Sequence, residues 1–173
     1  LAIARGLPET LKQPETERFS PAALLRGFAS LLRHGLFRAY LIIVTLTYSG
    51  LFAFISGSSF VLQDGYGLTP SVYGIAFGIC AGAYVCGTVI GQKVAPRHGV
   101  ERTIALGVGC LAVGGAAMLI ALGLAPSAAS VVAPMMIYMA GVGLALPQSQ
   151  AAALMPFPER AGTASSLMGI GQM

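Results

Sequence analysis

The stretch from Ala39 to Leu62, AYLIIVTLTYSGLFAFISGSSFVL, decides the fold. It is long enough to cross a bilayer, which takes roughly 20 mostly apolar residues, and its nearest charges are Arg38 and Asp64. On a helix turning about 100° per residue, Thr45, Tyr48, Phe52, Ser56 and Ser59 share one face, while Leu41, Val44, Leu51 and Ile55 spread over the remainder. The pattern predicts a spanning helix with one side kept from lipid.

The rest of the chain is of the same kind. Of 173 residues, 55% are hydrophobic and only 9% charged, and the mean hydropathy is +0.78. A soluble domain carries about 25% charged residues, so a soluble fold is excluded and the class is an all-α integral membrane protein. Charge-free intervals run over 39 to 63, 65 to 92 and 103 to 158. The last is split by the turn-like Leu124-Ala125-Pro126-Ser127, giving spans near 39–62, 72–92, 103–124 and 128–154. Past Pro156-Phe157-Pro158-Glu159-Arg160 a further apolar segment, 162–173, begins and is cut short. Opening on Leu1 inside an apolar scrap, the chain is expected to be incomplete at both ends.

The ten Lys and Arg all fall on one side of these spans. Six of them, ending at Arg38, precede the first; Lys93, Arg97 and Arg102 lie between the second and third; Arg160 follows the fourth. The connections 63 to 71 and 124 to 128 carry none. The positive-inside rule therefore assigns 1–38, 93–102 and 156–161 to the cytoplasm and the other two connections to the periplasmic or extracellular side. Nucleic acid is the weaker partner for these charges, since a phosphate-binding surface needs a basic face in water and these flank bilayer spans. The expected partners are the lipid bilayer and a small molecule.

Before the first span, residues 1–38 read as the end of an earlier apolar segment, a polar linker and an amphipathic helix. Ser20-Pro21 supplies a cap and a first-turn proline, and Leu24, Leu25, Phe28, Leu31 and Leu32 recur opposite Arg26, Ser30 and Arg33. The helix from Pro21 to His34 is expected to lie in the cytoplasmic interface and to end at Gly35; a plain linker helix is the alternative. Residues 39–173 form the transmembrane bundle. In it Thr69-Pro70 launches the second span, where Gly74, Gly78, Gly82, Gly87 and Gly91 form small-residue ladders suited to close helix packing in lipid. The third span, with only Thr103 and Cys110 as polar candidates, reads as peripheral and lipid-facing. On one face of the fourth lie Pro134, Tyr138, Gly141, Ala145 and Gln148, and Pro147 follows. Each proline removes a backbone hydrogen bond and permits a kink.

No catalytic or metal-binding constellation stands out. Cys80, Cys86 and Cys110 lack C-x-x-C spacing and read as small core residues. No base accompanies Ser56, Ser58 or Ser59, so an enzyme is the least supported class, and no cofactor is expected.

Four stretches carry a resemblance to a known family: Pro8-Glu9-Thr10-Leu11, GLFAFISGSSFVLQ from Gly50 to Gln63, YGLTPSVYG from Tyr66 to Gly74, and PFPERAGTASSLMGIGQ from Pro156 to Gln172. The chain resembles the C-terminal half of a major facilitator superfamily transporter, most closely the Bcr/CflA drug-resistance subfamily of proton-driven effluxers. The resemblance implies a partial major facilitator fold, helices seven to ten with pieces of six and eleven. In such a protein, monomeric when complete and set in the cell inner membrane, two six-helix bundles rock about a central site. The seventh and tenth helices would line it, with Thr45, Tyr48, Phe52, Ser56, Ser59, Met135, Tyr138 and Gln148 as cavity candidates for lipophilic compounds exchanged for protons. Between the eighth and ninth helices the superfamily repeats a G-x-x-x-D-R-x-G-R-R element. Here Arg97 and Gly99 keep the R-x-G spacing, Pro96 replaces the acid, and Gly91 is displaced by one. Gly91, Arg97, Gly99, Glu101 and Arg102 are the candidates for a cytoplasmic gate. No span contains Asp, Glu, Lys, Arg or His, so proton coupling would need a group elsewhere. A carrier for one metabolite and a membrane scaffold that moves nothing are the remaining alternatives.

Overall fold

The computed structural model describes residues 21–173, and these are helical throughout apart from short turns. Helix α1 (Pro21–Arg33) is followed by α2 (Gly35–Ser59), which passes into a π-helical turn, Phe60–Gly65. Then come α3 (Pro70–His98), α4 (Val100–Leu124), α5 (Ala128–Leu154), a 3₁₀ turn at Pro158–Arg160 and α6 (Ala161–Gln172). The Pro8 to Leu11 stretch, the polar linker and the Ser20 cap lie outside the described residues. Four helical segments, Gly35–Gly65 and α3 to α5, are long and apolar enough to cross a membrane.

Helix α5 is the centre. Over its most apolar stretch 56% of residues are buried, against 17 to 22% in the other three spans. It packs along α4 and α3, and then along α2. Sequence explains the closeness: glycines stand where the helices cross. A Cβ at Gly87 of α3 would run into the Ala140 carbonyl of α5, and one at Gly143 into the Tyr84 carbonyl. On the other flank, a Cβ at Gly107 would lie 2.7 Å from the Ala145 nitrogen, and one at Gly114 2.7 Å from that of Tyr138. Apolar burial provides little drive between helices in lipid, so backbone approach of this kind is what holds them.

The glycine ladder of α3 divides accordingly. Gly87 and Gly91 are buried against α5, whereas a Cβ at Gly74, Gly78 or Gly82 would point into open space. Helix α4 exposes most of its surface but is not loosely attached, because Thr103, Ile104, Gly107 and Gly114 form a buried stripe against α5.

Three boundaries differ from the sequence reading. Gly35 does not end α1. The break is the single residue His34, in extended conformation, and Gly35 opens α2. The connection expected at 93–102 contracts to Gly99, since Lys93 and Arg97 end the apolar interval without ending the helix. At Gly99, φ of +92° is a backbone conformation that glycine adopts freely. Beyond Ser59 the 3.6-residue period fails, because the π-helical turn pairs the Tyr66 amide with the Val61 carbonyl at 3.1 Å.

Helix α1 is seated on protein. Leu31 is buried in the same core as Phe37, Tyr40 and Val44, and the Thr163 methyl of α6 lies 3.1 Å from a Cβ position on Gly27. Phe157 stacks edge-on against His34 (5.0 Å) and Phe37 (5.9 Å), and Arg160 donates to the Ser30 hydroxyl at 3.3 Å. Leu25, 67% exposed, is left on the outer side.

Candidate functional site

Helix α2 presents two faces of different character. Phe37, Tyr40, Val44, Thr47, Phe54 and Ser58 are buried. The stripe of Thr45, Tyr48, Phe52, Ser56 and Ser59 lies about 120° round the helix from them. Its middle is open: Ser56 is exposed and Phe52 is 52% exposed. Tyr48 and Phe52 stack, with ring centroids 5.8 Å apart and planes 26° apart, so the two rings form one aromatic surface. The ends of the stripe are engaged. The Thr45 hydroxyl lies 2.6 Å from a Cβ position on Gly171 of α6, and Ser59 accepts from the Gln63 amide at 2.7 Å.

Met135 and Tyr138 of α5 lie elsewhere. With Gly50, Phe54 and Ser58 of α2 and Met118 of α4 they line a hollow of about 330 Å³ between the three helices. Tyr138 lies across Gly50, where a Cβ would collide with its ring and hydroxyl. The structure therefore separates the stripe from the pair of α5 residues assigned to the same cavity. Tyr48 packs at the edge of the buried cluster that Tyr138 also borders. A smaller hollow of about 140 Å³ is walled by Phe54, Phe77, Cys80, Tyr84 and Met139. Gln148 and Pro147 are half-buried, and Pro134 is buried within α5.

The hollow's α2 residues escape a reading of the sequence. Gly50, Gly57 and Phe54 carry a usable signal, two glycines seven apart flanking an aromatic. The buried hydroxyls of Thr47 and Ser58 carry none, since periodicity assigns hydroxyls to one face only where they cluster. Ser58 is held by the Tyr73 hydroxyl of α3 at 3.1 Å.

The gate candidates are spread over three environments. Gly91 is buried, 3.6 Å from Leu144 by its Cβ position. Arg97 is exposed in the last turn of α3, and Gly99 is the joint. Glu101 and Arg102, both exposed, open α4 about 100° apart, and Arg102 lines a groove on the outer side. Among the described residues no three of His, Cys, Asp and Glu converge as a metal site requires.

The arrangement consists of aromatic rings, methionine side chains and isolated hydroxyls. The model of the Major Facilitator Superfamily matches residues 1–173. The chain is 31% identical over 170 residues to the uncharacterized MFS-type transporter YdgK of Bacillus subtilis (strain 168), an alignment covering 98% of this chain and 42% of that protein. The chain thus spans under half the length of the curated relative it matches. It belongs to the major facilitator superfamily, whose members are multi-pass membrane transporters and not enzymes.

Proposed function

We propose that the complete protein carrying this chain exports lipophilic small molecules across the cell inner membrane by alternating access, in exchange for protons. The Tyr48–Phe52–Ser56 face of α2, open at Phe52 and Ser56, carries the reading. A spanning helix shielded on all sides has no use for stacked rings beside a free hydroxyl, whereas a wall for bulky, varied ligands needs polarizable area with few fixed polar contacts. The hollow at Met135 and Tyr138 has the same chemistry. No Asp, Glu, Lys, Arg or His lies within 39 to 63, 65 to 92 or 103 to 158, so these intervals offer a substrate apolar and hydroxyl contacts alone. Proton coupling is accordingly assigned to a group outside these intervals, and the basic connections to the cytoplasm.

Expression of the complete protein in an efflux-deficient bacterium is the test. Accumulation of a lipophilic dye falls, and a protonophore restores it. Unchanged accumulation over a broad panel, together with uptake of a single metabolite, would replace export with the substrate-specific carrier.

A further inference from the structure

A groove of about 660 Å³ runs along the outer side of α4 and plays no part in the site above. Its walls are Leu106, Gly109, Val113 and Ile137, and its polar end is formed by His98 and Arg102. Leu106 and Val113 are 57% and 58% exposed. From Arg102 to Val113 is 11 residues, about 16 Å of helix, or about half of a 30 Å hydrocarbon core. The groove is therefore one leaflet deep. It is cationic at the water end and apolar from there to the midplane. Glu101, the adjacent acid, stands about 100° round the helix from Arg102, and among the described residues Arg102 has no ion-pair partner.

We infer that this groove seats one anionic phospholipid of the cytoplasmic leaflet, its phosphate on Arg102 and His98 and an acyl chain along Leu106, Gly109 and Val113. Charge complementarity selects the headgroup, because basic pockets between spans on the cytoplasmic side meet a leaflet rich in anionic lipid. The depth of the apolar wall selects a lipid over a soluble phosphate. Gly109 matters by its size: a Cβ placed there would point into open space, which leaves room for an acyl chain.

Native mass spectrometry of the complete protein in detergent tests the inference with dioleoylphosphatidylglycerol, dioleoylphosphatidylcholine and glycerol phosphate as probes. Phosphatidylglycerol is retained in preference to phosphatidylcholine, and glycerol phosphate does not displace it. Arg102→Gln weakens its binding about fivefold. Gly109→Leu, which fills the groove and keeps both charges, removes bound lipid without loss of folded protein. Arg97→Gln, at the same end but outside the groove, leaves binding unchanged. Equal retention of both lipids, displacement by glycerol phosphate, an equal loss in Arg97→Gln, or undiminished binding in Arg102→Gln and Gly109→Leu would each overturn it.

Discussion

Two glycines of α4, two residues apart, should respond oppositely to the same methyl group. A Cβ at Gly107 would lie 2.7 Å from the Ala145 nitrogen, 2.8 Å from the Ala145 Cβ and 2.9 Å from the Gly141 carbonyl oxygen. Unstrained contacts lie near 3.5 to 4.0 Å, so Gly107→Ala forces α4 and α5 apart by about 1 Å along their closest line. Overpacking of this kind costs about 1 to 3 kcal/mol. At Gly109 a Cβ meets nothing, and replacing a mid-helix glycine by alanine gains about 0.5 to 1 kcal/mol. The two variants should therefore differ by about 1.5 to 4 kcal/mol. Titrating the complete protein in mild detergent with a denaturing detergent, followed by circular dichroism, measures the difference directly. A loss at Gly109→Ala equal to that at Gly107→Ala would refute the packing of α4 on α5 and, with it, the central position of α5.

Phe52→Ala should alter the spectrum of exported compounds with little change in folded protein, while Leu51→Ala, which borders both buried clusters, should lower the amount of folded protein; immunoblotting beside drug-susceptibility profiles separates the two. Gly50→Ala displaces the Tyr138 ring from the hollow, so its susceptibility profile should move in the same direction as that of Tyr138→Ala. Phe157→Ala removes two edge-on ring contacts, each worth about 0.5 to 1.5 kcal/mol. It should loosen α1 and speed tryptic cleavage at Arg33 by about tenfold in inside-out vesicles.

The spans are legible in the sequence because a water-soluble fold cannot leave a run as long as a bilayer is thick without charge several times over, and the turn at Ala125 to Ser127 is legible because proline and serine interrupt such a run. What periodicity leaves open is which face meets which neighbour. The ladder of α3 illustrates this: Gly82 and Gly87 look alike in sequence, yet only Gly87 opposes a backbone, that of Ala140. The glycines that fix the other crossing, Gly107, Gly114 and Gly141, are scattered through the apolar runs and become a set only when α4 lies on α5. The stripe on α2 is legible as far as Ser59. It stops after Ser59, where the π-helical turn begins and changes the angular step. The end of α1, Arg33, falls two residues before the glycine expected to mark it, because glycine both terminates and begins helices, and here the chain turns at His34.

The central claim is that the Tyr48–Phe52–Ser56 face of α2 borders a water-accessible substrate path. With Cys80, Cys86 and Cys110 replaced in the complete protein, a cysteine at Ser56 reports on it. A membrane-impermeant maleimide, applied in turn from each side of the membrane, should label Ser56→Cys, with labelling slowed by a transported dye, and should leave Leu106→Cys on the outer face of α4 unlabelled. Ser56→Cys as unreactive as Leu106→Cys from both sides would place that face in lipid and contradict the account.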